Sequence, residues 1–247
     1  MSAAVEHSLA DKNREVFHKI AKDPAQHGLE GAFEMLLEET GRRRHWISPK
    51  WTDTDAGKDQ EVKLLDYACG YGAISRYLEP YITKAIGIDL APNMVAEYNR
   101  QAREAGISAE KLSARVGNLL ANPIPEDLKD PELYDFDVAI VIGALHHFED
   151  PQLAVNRLAE RLRKGGALCV LDNVYAPGLA EEHKRLHPET AATVHKSGFT
   201  EEEMRELFEN AGLGDGFSFS VVERPFEMKL NGQKITRTIF LARGAKL

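Results

Sequence analysis

Short apolar segments alternate with amphipathic segments through the middle of the chain. Five of the short apolar segments have β-type composition. They predict the strands Val62–Tyr67, Ala85–Asp89, Ser113–Gly117, Phe136–Ile142 and Ala167–Asp172. The fourth contains the unbroken apolar run 140–142, which is typical of a strand buried on both faces. Strands that alternate with helical patterns indicate βαβ units and a parallel sheet.

Apolar residues recur with helical spacing between and after these strands. Pro92 and Pro151 occupy first helical positions, and residues 200–203 have the pattern of a capping box. A glycine follows the end of each of these helical patterns, at Gly106, Gly165 and Gly212. The predicted helices are Asn93–Ala105, Gln152–Arg163 and residues 200–211.

The two ends of the chain differ from this alternation. Near the C-terminus, Phe217–Val222 and Lys234–Ala242 are predicted strands, joined by a helix-free connection with an Asn231-Gly232 turn, so we expect them to pair antiparallel at one sheet edge. The N-terminal region predicts two helices, Asp11–Lys22 and Leu29–Arg44. The expected fold is α/β, a Rossmann-like doubly wound seven-stranded mixed sheet with a helical cap over residues 1–60 and a main domain over residues 61–247.

Composition narrows the classes of function. The formal charge of −8 argues against broad electrostatic binding of nucleic acid. Two cysteines, Cys69 and Cys169, are too few for a disulfide framework, and no Cys/His spacing indicates structural zinc. There is no apolar leader at the N-terminus and no apolar run of about 18 residues, so we expect no membrane span and a cytoplasmic location, with the nucleus as a second compartment.

The segment 62–75 has the pattern of a cofactor site. An apolar strand ends in an acid, Asp66, and a small-residue loop containing Gly70 and Gly72 turns into a helix. Glycines allow a ligand to approach the backbone, and a helix N-terminus presents free N–H groups. The carboxylate favours a cationic group on the ligand.

From this motif onwards the chain resembles the class I S-adenosylmethionine (SAM)-dependent methyltransferases, in particular the small-molecule branch that includes the ubiquinone and menaquinone biosynthesis C-methyltransferases. The resemblance covers about Val62–Asp172 and continues through Gly87-Ile88-Asp89 to the Leu145-His146-His147 segment. It implies a SAM-dependent transfer of a methyl group to a small-molecule acceptor. The cofactor-binding residues that it implies are Asp66, Ala68, Cys69, Gly70, Gly72, Asp89, Leu90, Met94, Asn118, Leu119 and Gly143.

Within this resemblance Asp89 would bind the ribose hydroxyls, because one carboxylate offers two acceptor oxygens. Two positions depart from the family pattern: Ala68 replaces its first glycine, and Asn118 replaces an acid that accepts from adenine. The amide oxygen of Asn118 can still accept that hydrogen bond. The alternative of a dinucleotide site lacks its third glycine, since Ser75 stands there, and it leaves Asp66 unexplained.

Three histidines are candidates for proton transfer. His146 and His147 follow the fourth strand at its carboxyl end, where open α/β sheets bind ligands, and His195 lies in the segment 175–199 expected to cover the acceptor. Each could instead have a structural role. His183 and His187 could share a helix face, but a polar surface explains them better than metal binding, and we predict no metal.

The cluster Arg42 to Arg44 could hold phosphate or RNA, although cations also favour a helix C-terminus. The resemblance implies that Phe17, Phe33 and Trp46 line the acceptor pocket under an N-terminal lid. Two alternative functions remain at this point, an RNA methyltransferase on the same fold and a SAM-binding regulator without catalytic activity.

Overall fold

A computed structural model describes residues 8–20, 30–186, 188–230 and 233–247 of the chain. Seven strands form one sheet in the order β3-β2-β1-β4-β5-β9-β6, and two more form a separate hairpin. The strands are β1 Lys63–Tyr67, β2 Lys84–Asp89, β3 Leu112–Val116, β4 Phe136–Ile142, β5 Leu162–Asn173, β6 Asp215–Val221, β7 Phe226–Leu230, β8 Gln233–Arg237 and β9 Ile239–Ala245.

Helices cover both faces of the sheet and one end of it. They are α1 Leu9–Ile20, α2 Glu30–Arg42, α3 Arg44–Ile47, α4 Ala73–Leu78, α5 Pro92–Glu104, α6 Pro151–Arg161, α7 Leu179–Leu186, α8 Pro188–Ala191 and α9 Glu201–Asn210. The capping box is present: the Thr200 hydroxyl accepts from the Glu203 N–H, and the Glu203 carboxylate accepts from the Thr200 N–H.

The predicted mixed sheet is confirmed. Strands β1 to β5 pair in parallel, whereas β9 pairs antiparallel with both β5 and β6. The strand order reverses between β1 and β4, so a crevice forms at their carboxyl ends, where ligands bind in open α/β sheets.

Alternate residues of the central strands point to opposite faces, and both faces are buried. Leu64 and Ile140 belong to the core on one face, and Leu65 and Val141 belong to the core on the other. This arrangement explains the unbroken apolar run in β4, because neither face of that strand meets water.

The structure corrects the C-terminal prediction in part. The predicted strand Lys234–Ala242 is split at Thr238: its first half is β8, which pairs with β7 in the hairpin, and its second half lies in β9. Pairing of the last strand with β6 at the sheet edge is confirmed. The predicted Asn231-Gly232 turn lies outside the described residues.

Two helix predictions were too long at their C-terminal ends. Helix α6 ends at Arg161 because Leu162 already pairs with Phe136 in the sheet. The second N-terminal helix ends at Arg42, and α3 follows as a separate turn. The start of that predicted helix, Leu29, and the end of the first, residues 21–22, lie outside the described part of the chain.

Trp51 anchors the chain between α3 and β1, and the half-buried Trp46 also packs against the core. Trp51 is fully buried, and its indole N–H donates to the carbonyls of Arg44 and Ser48. Arg44 lies over the Tyr81 ring, 3.8 Å from its centroid, and forms a two-pronged ion pair with Asp53. Arg44, the buried residue of the arginine cluster, therefore has structural partners within the protein.

Across the described residues, no helix is long and apolar enough to cross a membrane.

Candidate functional site

A cavity of about 400 Å³ lies at the carboxyl ends of β1, β2 and β4. Its floor comes from the sheet and the loop after β1, and its roof comes from α1 and α2. Most of the lining is apolar, with Phe17, Ile20, Leu36, Leu37 and Ile74 among the side chains. The polar groups of the lining include Asp66, Asp89, Asn118, Asn13 and His147.

Asp66 stands near the end of β1 and is only 1% exposed. The Ser75 hydroxyl, from α4, donates a 2.7 Å hydrogen bond to its Oδ2. Burial, offset only in part by this hydrogen bond, raises the pKa of Asp66 from 3.8 to about 7. A cationic ligand group placed beside the carboxylate would favour its ionised form and reverse that shift.

The loop between β1 and α4 brings backbone to the edge of the cavity. Ala68 (φ 56°), Gly70 (φ 52°) and Gly72 (φ 79°) all have left-handed backbone conformations. A Cβ on Gly70 would meet nothing within 4 Å, whereas one on Gly72 would lie 2.4 Å from the Tyr98 ring. Gly70 therefore leaves room for a ligand, and Gly72 leaves room for the protein's own core.

The carboxylate of Asp89 ties the loop to the end of β2. It accepts from the Gly70 N–H at 2.9 Å and from the Ala91 N–H at 2.8 Å. Burial raises its pKa, and these hydrogen bonds act in the opposite direction. A carboxylate oxygen can accept more than one hydrogen bond, so Asp89 can also accept from two neighbouring hydroxyl groups of a ligand in the cavity.

Most of the predicted cofactor residues meet at this cavity, but two do not. Those that line it are Asp66, Ala68, Cys69, Gly70, Asp89, Leu90, Met94, Asn118 and Gly143. Leu119 is fully buried in the core beneath, because its backbone position turns the side chain into the sheet-helix layer. Gly72 faces Tyr98 instead of the cavity. The Cys69 thiol is buried, and burial raises its pKa well above 9. Cys69 is therefore a packing residue and not a nucleophile.

Asn118 uses its amide oxygen locally, accepting from the Leu120 N–H at 2.9 Å. The same oxygen has a second lone pair, and the amide NH2 adds two donors. The side chain can therefore serve a heterocycle that presents both donors and acceptors.

His147 is the predicted histidine that lines the cavity. Its Nδ1 lies 2.9 Å from the Thr193 carbonyl, which can only accept, so Nδ1 carries the ring proton and Nε2 is an acceptor. Burial and the neighbouring His146 ring lower the pKa of His147 well below 6.5. The ring is thus neutral at physiological pH.

His146 lies outside the cavity lining and is held by the fifth strand. Its backbone N–H and its ring Nδ1 both contact Asp172, at 3.1 and 2.7 Å, and its ring lies 4.1 Å from that of His147. Its carbonyl accepts from the N–H groups of His195 and Lys196. His146 therefore orders the segment that presents His147.

His195 is not brought to this cavity. Its side chain lines a shallower depression of about 310 Å³ beside α6 and α9, together with Lys196 and Glu203. The described residues of the segment 175–199, which was expected to cover the acceptor, contribute no side chain to the lining of the main cavity. It supports the His146-His147 segment from behind through its backbone.

The roof of the cavity contains residues that the motifs do not reveal. Phe17 lines it, as the resemblance implies, and packs edge-on against His147 at 5.2 Å. Asn13, Leu36 and Leu37 also line it, whereas Trp46 does not. The side chain of Phe33 and all of His187 lie outside the described residues. The amphipathic pattern of α1 was the available signal, but it does not identify the surface that a helix covers.

Within the described ranges, no group of three or more His, Cys, Asp or Glu side chains is arranged to hold a metal ion. His183 lies on α7, away from the main cavity.

Comparison with known proteins agrees with this geometry. Residues 65–170 match the family described as "Methyltransferase domain". An uncharacterized methyltransferase of Schizosaccharomyces pombe is 32% identical over 199 residues, which cover 77% of this chain and 69% of that protein. A ubiquinone biosynthesis O-methyltransferase of Xanthomonas axonopodis pv. citri is 28% identical over 160 residues, or 62% of each chain.

The fold is also shared with solved structures. A SAM-dependent methyltransferase from Anabaena variabilis superposes with a TM-score of 0.68 at 19% identity, over 98% of this chain and 96% of its own. The identity and coverage of the S. pombe relative, together with the matched domain and this fold, place the chain in a family. It belongs to the class I SAM-dependent methyltransferases.

Proposed function

We propose that the protein transfers the methyl group of SAM to a small, largely apolar acceptor that enters the same cavity. The observation that carries this proposal is the composition of one cavity: buried acids and an open glycine loop at one end, and an apolar roof with a neutral histidine at the other.

The cofactor would lie along the carboxyl ends of β1, β2 and the residues after β3. Asp66 would hold the cationic ammonium of the methionine part, and Asp89 would accept from the ribose hydroxyls. Leu90 and Met94 supply apolar surface for the adenine, and Asn118 supplies polar groups for its edge. Gly70 supports this placement, because the space beside its Cα is empty.

SAM, when bound, supplies an electrophilic methyl group on a sulfonium. The contribution of the chain is to orient the acceptor and exclude water, since an in-line displacement needs no protein nucleophile. Neutral His147 can accept a hydrogen bond at Nε2 from an acceptor hydroxyl or amine and draw away its proton as the new bond forms. His146, fixed by Asp172, would act as a positioning residue for His147.

The acceptor class is inferred from the roof. Phe17, Leu36 and Leu37 would contact an apolar molecule, and the cavity is too small for a folded polynucleotide. The charge of −8 and the structural partners of Arg44 also argue against an RNA substrate. We propose that residues 1–60 act as the cap over this acceptor and that the protein works in the cytoplasm.

Calorimetric titration with SAM, S-adenosylhomocysteine (SAH) and NAD tests the cofactor assignment. We expect saturable binding of the first two, lost in Asp89→Ala and kept in Asp127→Ala, whose carboxylate lies on a surface turn outside the cavity. Transfer of radiolabelled methyl groups to a panel of hydroxylated and aminated small molecules then tests catalysis. Binding of NAD without SAM would overturn the proposal, and SAM binding with no transfer to any acceptor would favour the regulator.

A further inference from the structure

Helix α1 places a buried amide in the roof of the cavity. Asn13 is 8% exposed although it lies on a surface helix, and it lines the cavity above His147. Its Nδ2 donates a 3.2 Å hydrogen bond to the His147 carbonyl. That contact fixes the orientation of the amide, because a reversed amide would put two carbonyl-type oxygens against each other.

The other end of this amide has no partner. Asn13 Oδ1 is buried and accepts no hydrogen bond from any residue that the structure describes. A buried acceptor left unsatisfied is costly, so native proteins rarely keep one without a reason. Of its neighbours in the roof, Phe17 and Ile20 are apolar and have no donor to offer, and Arg14 donates to Asp11.

The position of Asn13 relative to the proposed cofactor site indicates what could satisfy it. Asp66 and Asp89 mark a cofactor that lies over β1 and β2, whereas His147 follows β4 on the other side of the switch point. Asn13 contacts the His147 end. The missing donor is therefore assigned to the acceptor and not to the cofactor.

We propose that Asn13 is a specificity-determining residue whose Oδ1 accepts a hydrogen bond from a neutral hydroxyl on an otherwise apolar, aromatic methyl acceptor. This inference rests on the proposed function and specifies its substrate class. An apolar molecule without a donor would leave Oδ1 unsatisfied and is disfavoured, since a site built to hydrogen-bond a group discriminates against analogues that lack it. A carboxylate is also disfavoured, because it would face an acceptor oxygen, and Arg14, the neighbouring cation of the lining, is already paired with Asp11.

The test uses a matched pair of probes in the presence of saturating SAH. 1-Naphthol carries the hydroxyl donor, and 1-methoxynaphthalene has the same ring system without it. We expect calorimetry to show that the wild-type protein binds 1-naphthol roughly three- to tenfold more tightly, the range expected of one neutral hydrogen bond. Asn13→Ala should lose most of this preference, and any part that remains would report a hydrogen bond from the same hydroxyl to His147 Nε2.

Asn93→Ala is the matched control variant. Asn93 also ties α1 to the body of the protein, because its Nδ2 donates to the His18 carbonyl at 3.1 Å, but it does not line the cavity. Loss of this tie should leave the preference for 1-naphthol intact. If Asn93→Ala abolished the preference as well, Asn13 would act only by anchoring the helix and the inference would be wrong.

Other outcomes are equally decisive. Equal affinity for both probes in the wild-type protein, or affinity for neither, would overturn the assignment of a hydroxylated aromatic acceptor. A loss of SAH affinity in Asn13→Ala, without a change in probe preference, would move the residue to the cofactor. If the wild-type protein did not bind SAH at all, the proposed function itself would fail, which separates the two conclusions.

Discussion

The pKa of Asp66 makes cofactor binding depend on pH in a way that can be calculated. With a pKa of about 7 in the free protein, the carboxylate is about half ionised at pH 7 and about one-tenth ionised at pH 6. If the ligand ammonium needs the ionised form, the apparent affinity falls in proportion to that fraction. Binding of SAH should therefore be about fivefold weaker at pH 6 than at pH 7.

The dependence should level off at higher pH. The α-amino group of SAH is that of a free amino acid, whose own carboxylate keeps its pKa above the peptide value of about 7.7–8.0, so the ammonium keeps its charge where Asp66 is ionised. Affinity should therefore rise from pH 6 and reach a plateau near pH 8. His147 does not contribute to the acid limb, because its pKa lies well below 6.5 and it stays neutral through the range.

Calorimetry of SAH binding between pH 6 and 8.5 measures this profile. Two controls isolate the carboxylate. Asp66→Asn should weaken binding at pH 7.5 by about tenfold or more and remove the acid limb. Methylthioadenosine, which lacks the amino-acid part, should bind the wild-type protein with little dependence on pH. A flat affinity from pH 6 to 7 for SAH, or an unchanged acid limb in Asp66→Asn, would refute the assignment of Asp66 to the ammonium.

Three further predictions concern stability and the loop. Since the folded-state pKa of Asp66 is raised from 3.8 to about 7, its contribution to stability falls as pH rises between those values. Asp66→Asn should therefore increase the unfolding free energy of the unliganded protein at pH 8 by at most about 4 kcal/mol, measured as a higher melting temperature, and should not increase it at pH 4. Gly72→Ala should cost about 2 kcal/mol or more in chemical denaturation, because its methyl group meets Tyr98, whereas Gly70→Ala should cost about 1–2 kcal/mol and instead weaken SAH binding; equal effects of the two variants would contradict this division. Asp172→Asn should lower the unfolding free energy by about 1–3 kcal/mol and slow methyl transfer, and unchanged values of both would exclude Asp172 from positioning His146.

Local sequence patterns predicted the sheet and most of the residues at the end of the cavity that we propose for the cofactor. The strand, the acid and the glycine loop at residues 62–72 are contiguous, so their geometry follows from short-range preferences for strand, turn and helix. Asp89 and Asn118 could be predicted for the same reason: Asp89 is the last residue of β2 and Asn118 lies two residues after β3, and the parallel strands end at the same edge of the sheet.

The errors at the ends of elements also have physical causes. The apolar spacing predicted that α6 continues through Leu162 and Arg163. In the structure Leu162 pairs with Phe136, so β5 begins there and the helix ends at Arg161. The strand predicted at Lys234–Ala242 has β composition throughout, and only its partners show that one half pairs with β7 and the other with β5 and β6.

What the sequence by itself determined is therefore the parallel α/β framework, the methyltransferase resemblance and the acids at strand ends. Only the tertiary structure decided that α1 roofs the cavity, that Asn13 is buried there with a free acceptor, and that His147 lines the cavity while His146 turns to Asp172 and His195 lies elsewhere. These facts depend on contacts between residues far apart in the chain. Amphipathic spacing shows that a helix has a buried face, but it contains no information about which surface that face covers.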